Sequence, residues 1–301
     1  MSRPPTFTPP PCATAHTLPT RRGRFAVLDG RPSGEPLGTV LLLPGFTGSK
    51  EDFIALLEPL AKAGYRAVAV DGRGQYETAG PDTEEAYAQG ELAADVLAQA
   101  EAVGGPVHLL GHSLGGQIAR AAVLLDRSPF TTLTLMSSGP ARVSHSQRER
   151  LALLRDALAG GMTMEQVWEA MRAMDPPEET PVDGDELRTR WLRTRPAQLI
   201  VTGRQLSEEP DRVAELAAVR RLPLHVISGE HDDTWPVEQF DAMAERLGAR
   251  RTRIAGARHS PNTDRPQETA AALTEFWDDP HGDWSESHNG DTAGRNGDSE
   301  G

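Results

Sequence analysis

The stretch Val107-His108-Leu109-Leu110-Gly111-His112-Ser113-Leu114-Gly115-Gly116 decides how this chain is read. An apolar run suited to a buried strand meets Gly-x-Ser-x-Gly, and a helix-compatible run, 117–125, follows at once. A serine pinned between a strand and a helix sits on a sharp, strained turn. A Cβ at either flanking glycine would strike the neighbouring strand or helix. Such a turn lifts the hydroxyl above the sheet, at the positive N-terminal end of a helix dipole. A chain of this glycine content holds about 0.2 copies of the pattern by chance. A second copy does occur at Gly297-Asp298-Ser299-Glu300-Gly301. It has no strand before it and no helix after it, so context selects Ser113.

Outward from this stretch, apolar runs and helical faces alternate. Residues 24–28 predict a strand of an antiparallel edge hairpin, and residues 39–43 a strand buried on both faces. Ser49-Lys50-Glu51-Asp52 is a loose capping box that opens a helix ended by Gly64. Residues 66–70 form the next strand, followed by the loop Asp71-Gly72-Arg73-Gly74-Gln75. Asp82-Thr83-Glu84-Glu85 is expected to cap a long Ala-rich helix that stops at Gly104-Gly105, and residues 131–136 form a further strand. This order predicts an α/β fold with a doubly wound, mostly parallel sheet. From 141 to 221 the strand signal vanishes and amphipathic helical patterns replace it. Strands at 223–227 and 251–254, with helices opened by Pro236 and by Asp264 and Pro266, resume the alternation. The expected organisation is therefore a disordered leader (1–22), a core (23–140 and 222–277), an inserted helical unit (141–221) and a disordered acidic tail (278–301).

At 301 residues the chain can bury a sizeable core. Of the formal net charge of −13, the leader contributes three positive charges and the tail six negative, so the body keeps ten of the negatives. That balance disfavours nucleic acid or an anionic membrane as partner and fits a small neutral or apolar substrate. The lone cysteine, Cys12, cannot form an internal disulfide and is expected to be inert. The leader lacks the apolar core of a secretory signal, and no apolar run approaches membrane-spanning length. A cytoplasmic protein is the expectation.

A serine hydroxyl at neutral pH is a weak nucleophile and needs a base, an orienting acid and an oxyanion site. In folds built on such an elbow the chain order is nucleophile, acid, base. Among nine histidines, His259 alone stands in a loop after the final strand, where an open parallel sheet places its ligands. The acid is expected after the strand at 223–227, in Gly229-Glu230-His231-Asp232-Asp233-Thr234-Trp235-Pro236. The turn at Gly229 and the helix start at Pro236 favour Asp232 over Asp233, with Glu230 and His231 nearby. A purely capping role for Asp232 is the alternative.

These residues resemble the α/β-hydrolase superfamily. The matching pieces are Gly-His-Ser-Leu-Gly-Gly around Ser113, Gly-Glu-His-Asp around Asp232, Gly-Ala-Arg-His-Ser-Pro-Asn around His259, and Asp-Gly-Arg-Gly after the second core strand. The resemblance implies that the helical insert is a lid. It also implies that the backbone N–H groups of Phe46 and Leu114 form the oxyanion hole. The sequence has no His-Glu-x-x-His, no cysteine cluster and no Gly-x-Gly-x-x-Gly after a strand, so neither metal nor cofactor is expected. One departure is Pro44-Gly45 where the family usually writes His-Gly, so the bracing of that loop is expected to differ. Another is Tyr76 where many relatives have Gly. Serine rather than aspartate at the elbow argues against chemistry that uses a carboxylate nucleophile. Trp235, by its position, and Trp168 and Met171, on the insert, are candidates to line a substrate pocket. Met162, Met164, Met174 and Trp191 belong to the same set, and the insert's own packing core is the competing account of all but Trp235. The function implied is cofactor-free cleavage of a carboxylic ester or thioester through an acyl-enzyme. The alternatives are acyl transfer, perhydrolysis or carbon–carbon bond lysis on the same triad, or a non-catalytic ligand-binding relative.

Overall fold

The computed structural model describes residues 3–174 and 184–282. Eight strands form one sheet: β1 (Ala13–Thr20), β2 (Gly23–Gly30), β3 (Gly38–Leu43), β4 (Tyr65–Val70), β5 (Val107–His112), β6 (Phe130–Met136), β7 (Leu224–Gly229) and β8 (Arg250–Ile254). Their order across the sheet is β1-β2-β4-β3-β5-β6-β7-β8. The strands from β3 to β8 run parallel, while β2 is antiparallel to both β1 and β4. Helices α1 (Ile54–Lys62), α2 (Gln89–Val103) and α3 (Leu114–Leu125) connect the first half. Helices α4 (His145–Ala159), α5 (Met164–Met174), α6 (Gly184–Arg193), α7 (Pro196–Glu208) and α8 (Val213–Ala217) lie between β6 and β7. Helix α9 (Val237–Leu247) joins β7 to β8, and α10 (Pro261–Asp264) and α11 (Pro266–Asp278) close the fold.

The central strands are apolar on both faces because helices cover both. Leu41, Leu43, Val68, Val70 and Leu109 pack with α2, α3 and α9, whereas Val40, Leu42, Ala67, Ala69 and Leu110 pack with α1 and α11. Strand alternation, with period two, sends these neighbours to opposite layers. The insert carries its own cluster, in which Leu158, Val167, Trp168, Leu187, Trp191 and Leu199 meet. Leu206, Val213 and Leu216, towards its end, join the core beside α3 and α9 instead. A buried ion pair at 2.7 Å between Arg120 of α3 and Glu209 just after α7 ties the two parts together.

Two expectations are corrected. Residues 13–20 are the edge strand β1 rather than part of a disordered leader. Pairing with β2 supplies the order that its Pro- and Thr-rich composition does not, and Leu18 alone of its residues is buried. Arg22, in the turn, donates to Asp95 and Glu91 and docks the hairpin on α2. The long helix does not begin at the Asp82–Glu85 signal. Residues Glu84–Tyr87 form a 3₁₀ turn, Ala88 adopts an extended ψ of 142°, and α2 starts at Gln89. The buried Tyr87, whose hydroxyl donates to the Pro81 carbonyl at 2.6 Å, holds that break. The acidic tail lies outside the described residues from 283 onward.

Two strand histidines are core pieces. His108 is paired with Thr132 Oγ1 at 2.9 Å and stacked on Trp277, and His225 is paired with Thr252 Oγ1 at 2.9 Å. Burial pushes the imidazole of His108 down to about 4 and that of His225 well below its ordinary value. Both stay neutral when folded and bind protons when unfolded, so their contribution to stability is full above about pH 6.5. It is lost as pH falls from there towards 4. Urea midpoints should therefore drop steadily between pH 7 and pH 5, before most carboxylates titrate. A flat profile over that interval would contradict the buried, neutral assignment.

Candidate active site

Ser113 follows β5 and immediately precedes α3. Its backbone adopts φ 54° and ψ −118°, a conformation that costs a non-glycine residue of order 1–3 kcal/mol. The neighbouring glycines exist because backbones approach closely. A Cβ on Gly111 would collide with the Gly115 backbone, and one on Gly115 with the carbonyls of Leu43 and Pro44. The Ser113 N–H donates to the Met136 carbonyl at 2.9 Å, which pins the turn to β6.

Asp232 and His259 reach the same point from the tips of β7 and β8. The Asp232 side chain has no exposed surface, and its Oδ1 accepts from the N–H groups of Thr234 (2.8 Å) and Trp235 (3.2 Å). Its Oδ2 lies 2.8 Å from His259 Nδ1, and His259 Nε2 lies 3.1 Å from Ser113 Oγ. With the imidazole proton on Nδ1, that nitrogen donates to Asp232 and Nε2 accepts from the serine hydroxyl. The other acids of the loop are elsewhere. Glu230 Oε2 accepts from Gly256 N–H at 2.9 Å, and Asp233 lies exposed at the cavity rim. Gly229 permits the approach of the two loops, since a Cβ there would strike the carbonyls of Ala257 and Arg258.

His112, next to the nucleophile in sequence, holds the His259 loop. Its Nε2–H donates to the His259 carbonyl at 2.9 Å. Burial, with the neighbouring His259 adding to it, pushes this imidazole down to about 3, so it remains a neutral tether. Trp235 is wholly buried and does not line the cavity. Its ring stacks beside His259, with centroids 6.2 Å apart, and its Nε1–H donates to the carbonyls of Ala141 and Arg142. Trp168 and Met171 are likewise corrected as pocket residues: they pack inside the insert with Trp191. Met162 is exposed, and the side chain of Met174 lies outside the described residues.

The cavity over Ser113 has a volume of about 310 Å³, within the range of small-molecule sites. Its sheet side is formed by Gly45, Phe46, Thr47, Ser113 and His259. Val143, Gln147, Arg150, Leu151 and Leu206 of the inserted segment form another wall. In the sequence this second wall is barely marked. Its signal is the recurrence of Gln147, Arg150 and Leu151 at helical spacing, which says that a face exists but not what it faces.

The loop before Phe46 is braced in an unexpected way. Gln75 Nε2 donates to the Gly45 carbonyl at 2.8 Å, while Gln75 Oε1 accepts from Gly72 N–H at 2.9 Å. Because the Gly45–Phe46 peptide is planar and trans, fixing its carbonyl fixes its N–H on the opposite side. Among the described residues the N–H groups of Phe46 and Leu114 donate to no protein acceptor; for Leu114 this is the free donor of a helix start. The Asp71 loop is a brace as well. Asp71 accepts from Lys50 N–H (2.7 Å) and from Lys50 Nζ (3.0 Å). Burial works against the Lys50 ammonium, but Asp71 and Glu51 outweigh it and hold the group above the ordinary lysine value.

A parallel sheet with a serine on its central strand–helix elbow is the architecture of an α/β hydrolase. The chain belongs to the alpha/beta hydrolase family, whose model matches residues 40–272. It is 34% identical over 119 residues to RutD of Variovorax paradoxus (strain S110), a protein named for carbamate hydrolysis. That match covers 38% of this chain and 44% of the relative, so the chain spans less than half the length of that protein. Among solved structures, a hydrolase from Pseudomonas aeruginosa PA01 is 22% identical, with a TM-score of 0.71 over 88% of this chain and 98% of its own. A thermophilic esterase from Thermogutta terrifontis is 22% identical, with a TM-score of 0.70 over 90% and 100%. At that identity the likeness is one of fold. No helix among the described residues is long and apolar enough to cross a membrane.

The insert is anchored next to the cavity by Arg190 of α6, which donates to Asp52 Oδ1 at 2.9 Å, both side chains being at most 1% exposed. Arg190→Met leaves the Asp52 carboxylate buried without this partner and should cost about 3–5 kcal/mol. Urea unfolding measures it, and a loss below about 1 kcal/mol would contradict the pair's structural role.

Proposed function

We propose that the protein is a serine hydrolase that cleaves a carboxylic ester or thioester through an acyl-enzyme. The observation that carries this reading is the unbroken line from Asp232 Oδ2 to His259 Nδ1 (2.8 Å) and from His259 Nε2 to Ser113 Oγ (3.1 Å). In it, Asp232 fixes the tautomer of His259 and stabilises the imidazolium that forms. His259 takes the proton of Ser113 as Oγ attacks the carbonyl carbon, and returns it to the leaving alcohol or thiol. Water, deprotonated by the same imidazole, then attacks the acyl-serine and frees the acid. The N–H groups of Phe46 and Leu114 hold the oxyanion in both halves, each donor being worth about 2.7–4 kcal/mol in such sites. The start of α3 adds its dipole. The helices α4 to α7 act as a lid, with α4 and Leu206 closing one side of the cavity. The chemistry asks for no cofactor. The name of the RutD relative makes carbamates a natural addition to any substrate panel.

Aryl esters and thioesters of graded acyl length, with matching carbamates, test this reading. Ser113→Ala should lower kcat by about 10³-fold or more on any substrate that turns over. Equal turnover by wild type and variant would overturn the assignment. Gln75→Met removes the brace on the Gly45–Phe46 peptide. It should lower kcat by about tenfold, with a smaller change in KM, because the oxyanion donor acts in the transition state. An unchanged kcat would show that the Phe46 N–H is held by other means.

A further inference from the structure

Helix α4 turns Gln147, Arg150 and Leu151 towards the cavity that holds Ser113. Positions 147 and 150 are three apart, so the amide and the guanidinium stand side by side on one helical face. Among the described residues Arg148 has no ion pair but does not border the cavity, while Arg190 is neutralised by Asp52, Arg155 by Asp156, Arg188 by Glu165 and Arg204 by Glu84. Arg150 is not. Among the described residues it has neither a carboxylate at ion-pair distance nor a hydrogen-bond acceptor, and the Gln147 amide has no partner either. Two acids border the same cavity. Asp52 is engaged by Arg190, and Asp233 stands exposed on the rim without an ion-pair partner.

We propose that Arg150, with Gln147 beside it, is a specificity-determining residue, and that the substrate carries a carboxylate on the part of the molecule that faces α4. The inference rests on the serine-hydrolase reading of this cavity and names its substrate class. The planar fork of a guanidinium matches the two oxygens of a carboxylate, and the Gln147 amide offers a further donor. One cation suits one negative charge. A phosphate dianion would bring a second charge towards Asp233 with nothing to balance it. The body of the protein is net negative and repels anions at long range, so a carboxylate substrate requires a local cation such as this one.

The test compares 4-nitrophenyl hydrogen glutarate, whose acyl chain ends in a carboxylate, with the neutral 4-nitrophenyl pentanoate. The readout is the ratio of their kcat/KM values. Arg150→Gln should lower that ratio by about tenfold or more, chiefly through KM for the anionic ester, with Arg150→Lys in between. Arg155→Gln removes the same charge from the same helix outside the cavity and should leave the ratio within about twofold. Free glutarate should also slow fluorophosphonate labelling of the wild type more than that of Arg150→Gln. A ratio and a protection that Arg150→Gln leaves unchanged, or that Arg155→Gln alters equally, would overturn the inference while the hydrolase reading stands. No turnover of either ester and no labelling would overturn both.

Discussion

The close approach of three backbones at Ser113 is the constraint on which the rest depends. Strand β5 must turn into α3 within one residue, beside the end of β3, and two glycines without Cβ atoms make room for it. The price is a serine with positive φ. In return the hydroxyl stands clear of the sheet, at the start of a helix and beside the loop that carries Phe46. The strain is sustained by the buried parallel strands on either side, which are packed on both faces.

The same sheet brings the partners. Parallel strands all end at one edge, so residues more than a hundred positions apart in the chain arrive together once β5, β7 and β8 are in register. The loops then need little further ordering. Asp232 is fixed by two backbone N–H groups of its own turn, His259 by Asp232 and by His112, and the Phe46 loop by Gln75. Each hydrogen bond restrains a group that a solvated loop would leave free, which is what a preorganised site requires.

How much of this was legible in the sequence follows from the range of each signal. The central strands, the elbow and the order Ser113, Asp232, His259 were legible because continuous apolar runs and chain order are local properties. Strand β1 was not, since a Pro- and Thr-rich edge strand has one buried side chain and owes its order to pairing. The start of α2 was misplaced because Asp82 to Glu85 make a good cap in composition, yet the buried Tyr87 holds a 3₁₀ turn there instead. Trp168 and Met171 had a periodicity that fits a buried face, and burial against the rest of the insert is what that face found. Trp235 was well placed in sequence but its indole turns inward, towards the carbonyls at the start of the inserted segment. Gln75 carries no local signal, and the helical spacing of Arg150 says only that a face exists. Their meaning comes from which loop or cavity the fold sets opposite them.

The central claim, that Ser113 is the nucleophile made competent by the line through His259 and Asp232, is tested most directly by mapping a covalent adduct. Folded protein treated with a fluorophosphonate and digested should carry a single phosphonyl mass, on the peptide containing Ser113, and protein unfolded before treatment should carry none. A phosphonyl mass on any other residue of the folded protein, or equal labelling of Ser113→Ala, would contradict the account.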